Sequence, residues 1–161
     1  MRHMRGTSRR GFTLIEAVVV VLALSISLPT TLIWLGEANQ RRADSVNTTR
    51  ATALGTLVME QVLADVSSKS AGLGFSALAN SATYLNTATT GLVARLSSIT
   101  SLYTGMGINY GVTIGGLVDK SGAATGVTSQ DLFRSVTVTV TFTGSDGSAR
   151  TLSLQSMVTS L

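Results

Sequence analysis

One carboxylate, Glu16, stands inside an otherwise apolar stretch, with Phe12, Leu14 and Ile15 before it and the uncharged run from Ala17 to Gly36 after it. Holding an ionised carboxylate near a bilayer interior costs about 2.5 to 3.5 kcal/mol on insertion scales, so such a residue is kept for a function or snorkels its charge to the head groups. The chemistry open to it is charge pairing. Catalysis by acid and base needs convergent titratable groups. The single histidine, His3, has no partner of its own in the leader, and the absence of cysteine excludes a disulfide framework and a thiolate metal site. Asp119, Asp131 and Asp146 are scattered carboxylates that could line a calcium site, but no D-x-D-x-D spacing joins them, and Asp146-Gly147 has turn chemistry of its own. No glycine group matches the phosphate-loop pattern G-x-x-x-x-G-K-[ST]. The chain is therefore expected to carry no catalytic residue, cofactor or metal, and not to be an enzyme.

The elements around Glu16 read as a membrane segment. At 161 residues the chain suits one ordinary domain, and only 12% of it is charged, with a mean hydropathy of +0.37. The formal charge is +4, but Arg2, Arg5, Arg9 and Arg10 account for it, because beyond Arg10 acidic and basic residues balance. The excess is a topological signal at the N-terminus and not a footprint for phosphates, so no nucleic-acid partner is expected. Ala17 to Gly36 gives twenty residues without a charge, enough to cross a hydrocarbon core of about 30 Å as a helix. The basic leader would stay in the cytoplasm, placing the rest of the chain on the far side. Trp34 sits near the end of the run, where an interfacial aromatic is expected. Pro29 removes one helical hydrogen bond and should kink or locally open the helix.

Beyond Gly36 the helical period persists in polar surroundings. Val46, Ala53, Leu54, Leu57, Val58, Val62 and Val66 define an apolar stripe, with Asn47, Thr48, Glu60 and Asp65 on the opposite face. This predicts a nearly continuous helix from Phe12 to about Ser67, about 80 Å long at ~1.5 Å per residue. From Ser67 to Gly107 the pattern dissolves, apart from short helical turns around Leu92 to Leu102. The last third alternates as strands. Ile108, Tyr110, Val112 and Ile114 form one run, ended by Gly115-Gly116, and Val136, Val138, Val140 and Phe142 alternate with Thr137, Thr139, Thr141 and Thr143. After a turn at Gly144 to Ser148, Leu152, Leu154 and Val158 resume the alternation, giving an antiparallel hairpin whose apolar face covers the helix stripe. The expected fold class is α+β: a long N-terminal helix, a membrane anchor continuing into the head, packed against a small antiparallel C-terminal sheet.

Gly11-Phe12-Thr13-Leu14-Ile15-Glu16, preceded by Arg9-Arg10 and followed by the apolar run, resembles the N-terminal motif of type IV prepilins and type II secretion pseudopilins. The resemblance covers about residues 9 to 36. It implies a leader over 1–11, a transmembrane and filament-core helix over 12–36, and a globular head over 37–161. It further implies cleavage by a prepilin peptidase between Gly11 and Phe12, methylation of the new Phe12 amine, and use of Glu16 in filament assembly. A Phe12 amine and the Glu16 carboxylate, four residues apart, share a helix face, and between neighbouring chains such a pair would satisfy a buried charge and fix axial register. Pilins commonly carry a helix-bending proline in this region, and Pro29 comes about one turn before its usual place. The implied protein is a structural subunit of a pilus or pseudopilus, looking more like minor pilins than the main building block. Its partners would be the peptidase, other pilin or pseudopilin subunits and the inner membrane, which it spans once before entering a filament, head periplasmic or outside.

A rival reading is a twin-arginine export signal, because Ser8-Arg9-Arg10-Gly11-Phe12-Thr13-Leu14 also looks like S-R-R-x-F-L. Cleavage after the small residues Ser25 and Ser27 would then release a soluble binding module. Thr13 in place of leucine and the carboxylate of Glu16 depart from that pattern.

Overall fold

The computed structural model describes residues 13–160. Helix α1 spans Leu14–Ser67 and is followed by a 3-10 turn at Phe75–Ala79, short helix α2 at Ser81–Asn86 and helix α3 at Leu92–Thr104. Three strands complete the chain: β1 (Asn109–Val118), β2 (Phe133–Thr143) and β3 (Ala149–Thr159). Two compact units divide at Arg41 and Arg42.

The first unit is the N-terminal part of α1. Thr13 caps it: its Oγ1 accepts the Glu16 N–H at 3.3 Å, and its carbonyl accepts the Ala17 N–H at 3.1 Å. Thr13-x-x-Glu16 is thus the sequence pattern of a capping box, with the threonine half formed. Of the kink or local opening expected at Pro29, the opening is not seen: helical structure continues on both sides of the proline. Around the proline, Ser25, Thr30 and Thr31 turn their hydroxyls back onto the carbonyls of Val21, Ser27 and Ser27 at 2.7, 2.9 and 2.8 Å. These residues meet their polar needs within the helix itself.

The second unit is an α+β head. The later part of α1 buries Ala51, Leu54, Val58 and Val62 completely, with Met59 and Asp65 nearly so. The stripe therefore runs 51, 54, 58, 62 and 65, and it corrects the sequence reading at three positions. Val46 and Ala53 are exposed, whereas Asp65, assigned to the open face, is in the core. Successive steps of three and four keep one face inward, and residue 65 falls on that face whatever its side chain.

The strands form one antiparallel sheet in the order β1-β2-β3. Val136, Val138 and Val140 are fully buried while the intervening threonines face away, so the alternation reads out directly as two faces. Gly55 brings the helix close to this sheet: a Cβ there would lie 2.7 Å from Leu154 Cδ1 and 3.3 Å from Val140 Cγ2. The second strand of the hairpin pairs in uninterrupted register, from Phe133 opposite Thr159 to Thr143 opposite Ala149. Its turn closes with Gly144 N–H to Ser148 O at 2.8 Å, and Gly147 takes the positive φ of 79° that favours glycine.

Two further expectations change. Gly115-Gly116 does not end β1; the strand continues to Val118 through a register shift between Ile114 and Leu117. A Cβ at Gly115 would collide with the Ser135 hydroxyl, and the Gly115 carbonyl accepts from Arg134 Nη1 at 3.0 Å, so the glycine allows the irregularity. In the segment from Ser67 to Gly107 the helical turns expected around Leu92 to Leu102 are present as α3, and the 3-10 turn and α2 come in addition where irregular chain was expected, with Leu78, Tyr84, Leu92 and Leu96 buried in the common core. The apolar residues of the 3-10 turn and α2 are too few to show a period, and the core they complete lies elsewhere in the chain.

Candidate functional site

Gly11 and Phe12, the residues of the expected cleavage and methylation, lie outside the described residues. Glu16 is in the first turn of α1 and is exposed, as are all its neighbours through Leu35. A carboxylate in the first turn is favoured by the positive end of the helix dipole, and here it follows the capping threonine by three residues. The side chains after it, from Ala17 to Leu35, include Val18, Val19, Val20, Val21, Leu22 and Leu24, each between 43% and 62% exposed. A soluble fold would bury such a run. The most apolar 18 residues of α1 have a mean hydropathy of 2.3 and none of them is buried, so by length and composition the helix could cross a membrane once. Trp34, 75% exposed, stands at the far end of this segment.

No family model, curated protein or solved structure matches this chain. The reading of its N-terminal segment rests on its own residues.

Three carboxylates singled out in the sequence are each engaged by their own loop. Asp119 Oδ1 accepts from the Ser121 N–H and hydroxyl at 2.8 and 2.6 Å and from the Ala123 N–H at 3.0 Å. Asp131 takes the Thr125 hydroxyl at 2.7 Å and the Gly126 N–H at 2.8 Å, and Asp146 Oδ1 takes the Ser148 N–H and hydroxyl. Hydrogen bonds from Ser121, Thr125 and Ser148 hold the three carboxyls below their ordinary range, in that order of residue. Among the described residues no three metal-ligating side chains converge. These aspartates organise turns.

The strongest polar constellation escaped the sequence reading. Asp65, 3% exposed, accepts from Gln61 Nε2 at 3.0 Å, from the Tyr84 hydroxyl at 2.6 Å, and from Arg95 through both Nη1, at 2.8 Å, and Nη2. Arg95 Nε also donates to the Thr90 carbonyl at 3.0 Å. Burial alone would raise the Asp65 carboxyl, but the hydrogen bonds from Arg95, Tyr84 and Gln61 outweigh it and leave it below its ordinary value. Burial and then the bond to Asp65 push the Tyr84 phenol up, and the Asp65 bond raises Arg95. Side chains from α1, α2 and α3 thus meet on one ionised carboxylate. With Asp65 engaged by three side chains, the cluster holds three helices together. The available signal was a carboxylate falling in step with Ala51, Leu54, Val58 and Val62.

Proposed function

We propose that this chain is a structural subunit of a type IV pilus or a type II secretion pseudopilus, of the minor-pilin kind, and not an enzyme. The observation that carries the reading is the sequence Gly11-Phe12-Thr13-Leu14-Ile15-Glu16 directly before the uncharged apolar run 17–36, whose side chains are all exposed in α1. A prepilin peptidase would cut between Gly11 and Phe12 and methylate the Phe12 amine, retaining the anchor. The precursor would span the inner membrane once, leader inside and head outside, before joining other subunits. In a bundle of such helices Glu16 would pair with the Phe12 amine of a neighbour, which offsets its desolvation and sets the axial register. The capped, exposed first turn at Thr13 supports this use of Glu16, because the carboxylate is free of any intramolecular ion pair among the described residues. Intact mass and N-terminal peptide mapping of protein from the host's membranes test the proposal. A chain beginning at methylated Phe12 supports it. A mature chain beginning near Leu28 refutes it and favours the exported binding module with a cleaved twin-arginine signal.

A further inference from the structure

The segment of α1 from 42 to 50 belongs to the head yet adds almost nothing to its core. Ala51 is the first fully buried residue of the helix, and between 42 and 50 only Asp44 and Asn47 are even half-buried. Thr48 and Thr49 spend their hydroxyls on the carbonyls of Asp44 and Ser45 in their own helix. What reaches this segment is the β2–β3 turn. The Ser145 N–H donates to Asp44 Oδ1 at 2.7 Å, and Arg150 Nη2 lies 2.8 Å from Asp44 Oδ2, so both carboxylate oxygens are held by the hairpin. The same Arg150 Nη2 also lies 3.5 Å from Asp146 Oδ2, and Asp146 is itself fixed by Ser148. Gly144 makes room for the arrangement, since a Cβ there would lie 2.6 Å from Arg150 Nε and 2.7 Å from Asp146 Oδ1.

We infer that Asp44, Arg150 and the Ser145 amide form a releasable strap that decides where α1 leaves the head. Closed, the strap keeps residues 44–50 against the hairpin; open, the helix parts from the head at Ala51, about two turns later. Apart from the helix's own hydrogen bonds, a segment with so little apolar burial has these charge-assisted hydrogen bonds to hold it to the head, and losing them leaves its helical bonds less protected against local opening. The pair is partly exposed, 40% at Arg150 and 17% at Asp44, so dissolved salt weakens it, unlike the valine and leucine contacts below it. The inference stands on the geometry of the head and is independent of the pilus reading. Within that reading, the strap sets how many turns of α1 a subunit has free to bend during assembly.

Hydrogen–deuterium exchange of the full chain in neutral detergent micelles tests this, with peptides over 42–50 read separately from peptides over 54–66. At low salt, Arg150→Gln should speed exchange of 42–50 by about ten-fold, the local-opening equivalent of one charge-assisted hydrogen bond, and leave 54–66 unchanged. Raising sodium chloride to high concentration should speed 42–50 in the wild type and add nothing in Arg150→Gln. Asp44→Asn should behave as Arg150→Gln does. Unchanged exchange at 42–50 in either variant overturns the strap. So does an equal rise over 54–66, which would mean that the whole head had loosened, and so does a salt response that persists without Arg150.

Discussion

Replacing Arg95 with leucine asks how much the buried Asp65 node contributes. The substitution removes two hydrogen bonds to a carboxylate that is 3% exposed and leaves it with Tyr84 and Gln61 only. Breaking a buried pair from one side costs about 3 to 5 kcal/mol, because the surviving charge stays desolvated. Arg95 is itself 26% exposed, so a cost somewhat below that range, about 2 to 3 kcal/mol, is expected here. For a head of this size each kcal/mol moves the melting point by about 3 to 5 °C, giving a fall of about 6 to 15 °C. The assay is thermal unfolding of a head fragment starting at Glu37, followed by circular dichroism at several pH values. In the wild type the Asp65 carboxyl is held below its ordinary value. Its contribution is therefore fully present above about pH 4 and is lost as pH falls through the lowered value. Without Arg95, burial becomes the dominant influence and the carboxyl moves up, so the sign reverses: acidification from pH 7 to 5 should shrink the variant's deficit. Adding Asp65→Leu to Arg95→Leu should recover part of the loss, since no unpaired charge remains. A deficit under about 1 kcal/mol, or one that is the same at pH 5 and pH 7, would refute the assignment of this node as an ionised, stabilising lock.

Four further outcomes can be measured. Glu16→Ala should leave membrane insertion intact or improve it while lowering filament incorporation; incorporation at the wild-type level would remove any intersubunit role for the carboxylate. Val138→Asp should unfold or strongly destabilise the head, because Val138 is fully buried, whereas Thr139→Asp on the opposite face should be mild; equal melting temperatures would contradict the two-faced sheet. Gly55→Ala, which would gain about 1 kcal/mol of helix propensity at a free site, should instead lower the melting point through its clash with Leu154, as differential scanning calorimetry would show. Trp34 is the single tryptophan, so its fluorescence in vesicles should be blue-shifted and quenched most by bromine labels placed near the head groups; quenching strongest at the bilayer centre would displace the helix from the assigned depth.

Periodicity along the chain determined much of this protein by itself. The uncharged run after Glu16, the helix reaching Ser67 and the valine–threonine alternation of β2 depend on local spacing, and local spacing fixes which side chains share a face. Near the N-terminus, Glu16 stood out as a carboxylate in an apolar stretch, while Gly11 and Phe12 were put forward by the motif's resemblance and lie outside the described residues. Tertiary structure alone decided what happens to polar residues at apolar positions. Asp65 belongs in the core because Arg95 and Tyr84, thirty and nineteen residues away, arrive to neutralise and bond it, and no pattern within α1 announces partners on other helices. Asp44 is similarly unremarkable in sequence and acquires its role from a turn 101 residues later. The glycine pair in β1 reads as a strand end by composition but is absorbed as a bulge, since pairing with β2 resumes beyond it at Leu117. Burial of a charge, the path of a strand through glycine and the closure of a turn onto a helix all depend on groups distant in the chain. Such choices are made only when the layers pack.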